Sequence, residues 1–111
     1  MENREQYIDV QEAMHRIGGN KDLYIRLLAK FADSDNITSL EEAINAETIE
    51  DAVQRAHTLK GTAANLSLKK LAEAALELEQ QLKHGSDYSD PFITLKQVYN
   101  KTLDYISEGI E

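Results

Sequence analysis

Residues 67–85 read SLKKLAEAALELEQQLKHG. Within this run Leu68, Leu71, Ala75, Leu78 and Leu82 recur at alternating spacings of three and four, which makes one face of a helix apolar and leaves lysine, glutamate and glutamine on the other. Gly85 marks its end, and Ser67 is placed to cap its start. A rod with one apolar face has to be covered by others like it.

The flanking sequence supplies them. Downstream, Asp90 before Pro91 predicts a cap followed by a first-turn proline, and Phe92, Leu95, Val98, Tyr99, Leu103 and Ile106 form the next stripe. Upstream, a helix is predicted to start near Thr48, with Asp51 completing a capping pair, and to bury Ile49, Val53, Ala56, Ala63 and Leu66. Before that, Asn20 caps a segment carrying Leu23, Leu27, Leu28 and Phe31. Its stripe resumes at Ile37, Leu40 and Ile44 after a polar break, Asp33-Ser34-Asp35-Asn36, read as a kink or a turn. Asp9 and Glu12 open a short extra helix with Val10, Ala13, Met14 and Ile17 on one side, closed by Gly18-Gly19. The expectation is all-α: an up-down antiparallel four-helix bundle with a short additional N-terminal helix, in a single domain over residues 1–111.

Composition narrows the function. A chain of 111 residues forms one core, and its single proline and scarce aromatics suit a helical bundle. It contains no cysteine, which removes disulfides and thiolate metal sites from consideration. The N-terminus has no basic start leading into an apolar run, and no stretch approaches the ~20 apolar residues of a membrane span, so a cytoplasmic protein is expected. The net charge of -8 argues against nucleic acid and anionic membrane as partners. Yet from Arg55 to Ala72 there is no Asp or Glu, while Arg55, Lys60, Lys69 and Lys70 all fall there.

That basic stretch surrounds His57. At 100° per residue the imidazole points about 110° away from the mean of its helix's apolar stripe, towards the solvent edge, close to Lys60, Gly61 and Ala64. Histidine attacks phosphorus through an unprotonated ring nitrogen, so a phosphate-accepting histidine has to be accessible and largely neutral. Lys60 disfavours a second positive charge beside it and is positioned to offset the charge of an attached phosphate. Gly61 costs a helix about 1 kcal/mol relative to alanine, a cost that packing alone does not demand, and with Ala64 it keeps the surface low for a visiting protein. His15 and His84 lack this setting, and His84 reads as a cation in the last turn of its helix. Glu12 and His15 have the Glu-x-x-His spacing of di-iron bundles, but only one copy is present.

These residues resemble the histidine-containing phosphotransfer (HPt) domains of multistep two-component phosphorelays. The resemblance is carried by His57-Thr58-Leu59-Lys60-Gly61-Thr62-Ala63-Ala64-Asn65-Leu66, by Gly18-Gly19-Asn20 leading into Leu23-Tyr24 and Leu27-Leu28, and by Leu78-Glu79. It implies that His57 is phosphorylated on Nε2, that Lys60 stabilises the phosphoryl group, that Gly61 leaves room for a docking receiver domain, and that Glu79 orients the histidine. Ser67 stands where many members have glycine. The chain has no phosphate-binding glycine loop or kinase signature, so no kinase activity of its own is expected.

The resemblance further implies a phosphocarrier that acts as co-substrate and binds no cofactor, Mg²⁺ being expected in the partner receiver domain. The partners implied are receiver domains of a hybrid sensor histidine kinase and of a response regulator. Arg55, Ala64, Lys69 and Lys70 are candidate docking residues, and a monomer is expected. The alternatives are a receiver-binding scaffold that takes no phosphate, a metal-dependent oxidase on the same bundle, and a phosphoacceptor module like that of chemotaxis kinases.

Overall fold

The computed structural model describes residues 3–85 and 87–109, which form helices α1 (Arg4–Tyr7), α2 (Val10–Arg16), α3 (Lys21–Asp33), α4 (Thr38–Asn45), α5 (Ile49–Asn65), α6 (Lys69–His84) and α7 (Ser89–Glu108). The architecture is the expected all-α bundle. Short turns make α5, α6 and α7 antiparallel neighbours in sequence order, with α5 against α6 as the most extensive pairing. The fourth wall is shared, α3 packing on α7 and α4 on α5. Among the described residues no helix is long and apolar enough to cross a membrane.

Small residues set the closest approach. Ala52, Ala56 and Ala63 of α5 and Ala75 of α6 are fully buried, so the two backbones come near each other and bring their solvent edges together. On α5 the covered stripe is rotated from the expected one: Ala52 and Leu59 join Ala56 and Ala63 in the core, whereas Ile49, Val53 and Leu66 are half-buried. The cause is that α5 is covered from two sides, by α4 and α6.

The polar break upstream is a loop that separates α3 from α4. Asn36 Nδ2 donates to the Phe31 carbonyl at 2.6 Å and to the Tyr99 hydroxyl at 3.3 Å, and Asp35 Oδ1 accepts from the Thr38 amide at 3.1 Å. Two caps occur as expected, Asp9 accepting from the Glu12 amide and Asn20 from the Leu23 amide, each at 3.0 Å.

Three other caps differ. Thr48 occupies the N-cap of α5, but its hydroxyl donates backwards to the Ala43 carbonyl at 3.0 Å. Asp90 lies inside the first turn of α7, and Asp87 accepts from the Ser89 amide at 2.9 Å. Ser67 does not cap α6; Leu68 holds that position, while Ser67 is buried in a left-handed conformation at φ 58°. Ser67 therefore adopts the backbone state that glycine occupies most easily, at the position where many HPt domains have glycine.

Helix α1 lies outside the apolar periodicity, being a single turn. Asn3 caps it, and it seats Tyr7 and the following Ile8 in the core against α6 and α7.

Candidate functional site

His57 stands midway along α5 with 59% of its side chain exposed. Its helix is anchored by Ala56 and Leu59 on the opposite side, so the backbone beneath the ring is fixed while the ring faces solvent. Across the α5–α6 seam Glu79 is only 3% exposed, and its Oε2 lies 3.0 Å from His57 Nδ1. A carboxylate can only accept, so the shared proton sits on Nδ1, and in the neutral ring the lone pair is then on Nε2.

Glu79 also gathers two cations. Lys83 Nζ is 3.0 Å from Oε2, and Lys60 Nζ is 3.5 Å from Oε1. Burial opposes the charge on Glu79, but the contacts from Lys83 and His57 and the charge of Lys60 outweigh it and hold the carboxyl below the ordinary glutamate range. The two oxygens differ: Oε2 serves His57 and Lys83, whereas Oε1 is covered and has no hydrogen-bond partner, with the Lys60 ammonium beyond bonding geometry.

The structure thus brings together His57, Lys60 and Glu79, and adds Lys83, which the motif does not identify. Its trace in the sequence is the four-residue spacing from Glu79, common on any charged helix. Gly61 follows on the same helix, and a Cβ there would meet nothing within 4 Å. Glycine at this position is therefore not demanded by packing within the chain. Ala64 is exposed one turn further, and on α6 Leu76, three residues before Glu79, is one of the large hydrophobic side chains left exposed.

The remaining basic residues carry local partners. Arg55 pairs with Asp51 at 3.4 Å, and Lys69 with Asp9 at 3.0 Å and Glu12 at 3.3 Å. Lys70 lies over the Tyr7 ring, 5.5 Å from its centroid. A stretch free of acidic residues in sequence is in space interleaved with them. Glu12 also accepts from the Ser67 hydroxyl at 2.9 Å and pairs with Arg16 at 3.6 Å. Among the described residues no three His, Asp or Glu side chains converge as a metal site would require.

A model of the Hpt domain family matches residues 26–105, which contain the whole His57–Glu79–Lys60–Lys83 cluster. No curated protein and no solved structure matches the chain.

Proposed function

We propose, from the premise that this chain belongs to the Hpt domain family of two-component phosphotransfer modules, that it carries phosphate on His57 between receiver domains. The observation that carries the reading is the hydrogen bond from Nδ1 to Glu79, because on the neutral form of this exposed ring it puts the lone pair on Nε2.

In the transfer, the Nε2 lone pair forms a nitrogen–phosphorus bond as the phosphorus–oxygen bond to the receiver's aspartate breaks, and the bonding electrons leave with that carboxylate. No proton leaves the ring. The imidazole therefore gains a positive charge facing Glu79, and Lys60 is the cation available to the incoming phosphoryl oxygens. The reverse path returns the group to a second receiver. Mg²⁺ and the aspartate belong to the receiver's side, and this chain acts as co-substrate, without kinase activity of its own.

Gly61 and Ala64 form the low floor for the visiting domain, Arg55, Lys69 and Lys70 are the cations offered for docking, and the whole chain works as one cytoplasmic, monomeric module. One receiver belongs to a hybrid sensor histidine kinase and the other to a response regulator.

Incubation with a phosphorylated receiver should label the chain with an acid-labile, base-stable phosphate, and His57→Gln should abolish the label. Label persisting in that variant would overturn the assignment. Receiver binding with no label on the wild-type chain would instead favour a scaffold.

A further inference from the structure

We propose that Lys83 is a positioning residue for phosphotransfer, holding Glu79 on His57 while Lys60 is drawn away to the phosphoryl group; this rests on His57 being the phosphoacceptor. The two lysines approach different oxygens of one carboxylate. Lys83 lies 3.0 Å from Oε2, the atom that receives Nδ1 of His57, whereas Lys60 lies 3.5 Å from Oε1, which has no hydrogen bond. Lys60 is the looser of the two, and it sits one turn from His57 on the same helix.

A phosphoryl group with a charge of about −2 attracts an ammonium more strongly than a single carboxylate already shared with another cation. When Lys60 turns to it, Glu79 remains almost fully covered. Of the two lysines that bear on it, only Lys83 is then left, beside the His57 ring. A buried carboxylate stripped of its cations is costly. Without Lys83, Glu79 would hold Lys60 back or draw a proton onto the ring, which takes Nε2 out of use. Both outcomes slow transfer. Because Lys83 is 56% exposed, its replacement leaves the core intact.

The test uses the full chain with Lys83→Gln and Lys83→Arg. Two readouts are required: the rate of label transfer from a phosphorylated receiver from about pH 5.5 to 8.5, and the imidazole nitrogen spectrum without phosphate. The glutamine variant should transfer about three- to tenfold more slowly at neutral pH, with the acid limb of its profile moved to higher pH and the single Nδ1–H tautomer lost. Arginine should restore both. Unchanged rate and spectrum in Lys83→Gln, or failure of arginine to restore either readout, would overturn the proposal. A wild-type chain that takes no label would defeat the phosphoacceptor reading instead, and the nitrogen spectrum would still judge the hold of Lys83 on the His57–Glu79 pair.

Discussion

Replacing Glu79 separates its two duties, accepting from Nδ1 and carrying negative charge. In Glu79→Gln the amide oxygen can still accept the Nδ1 proton, so the tautomer is retained while the counter-charge to the phosphorylated ring is lost. Glu79→Ala loses both. Transfer rates measured with one phosphorylated receiver should therefore fall in the order wild type, glutamine, alanine, the last by at least about tenfold. An alanine variant as fast as wild type would remove Glu79 from the site. The motif around His57 points to the nucleophile, whereas Glu79 enters the sequence reading only through the family resemblance, and α6 brings it 3.0 Å from the ring.

At the scale of elements, α5 and its turn into α6 carry two local conflicts. Gly61 is a helix-interior glycine with open space around its Cβ position, so Gly61→Ala should raise stability by about 0.5–1 kcal/mol in denaturant melts. Gly61→Arg should fold but transfer poorly, because the obstruction faces the partner and not the core. Ser67 is the second conflict, a left-handed residue whose hydroxyl is tied to Glu12. Ser67→Ala loses the hydrogen bond and keeps the unfavourable backbone, whereas Ser67→Gly loses the bond and relieves the backbone. The glycine variant should be the more stable of the two by about 1 kcal/mol. Equal melts would show that the turn is not under local strain.

At the scale of the whole molecule, the N-terminal segment and the bundle are joined by carboxylates. Asp9 is held below its ordinary range by the Glu12 amide and by Lys69, and Glu12 by the Ser67 hydroxyl and by Lys69, as Glu79 is by its own cations. Groups more acidic in the folded chain than in the unfolded one contribute stability above their unfolded values and lose it as pH falls through the folded ones. Stability should thus be level above about pH 5 and decline below about pH 4.5, with a smaller decline in Glu79→Gln. Denaturant melts across that range measure it, and a flat profile would contradict it. Ile8 anchors the same segment from the apolar side, and Ile8→Ala should cost about 2–5 kcal/mol.

Amino-acid order alone specifies the long helices and the solvent edge on which His57 stands, because both follow from a period of 3.6 that each helix expresses without reference to any other. It also located the positions of the left-handed stops, Gly18-Gly19 and Gly85. What lies across the seam follows from how the helices pack. The short α1 has no periodicity to read, Ser67 in its left-handed turn gives its hydroxyl hydrogen to Glu12 of a distant helix, and the basic stretch of α5 and α6 meets acidic side chains from elsewhere in the chain. Pairing between side chains depends on which helix faces are pressed together. That choice is made by burial summed over the whole core, in which no single residue's type announces its partner.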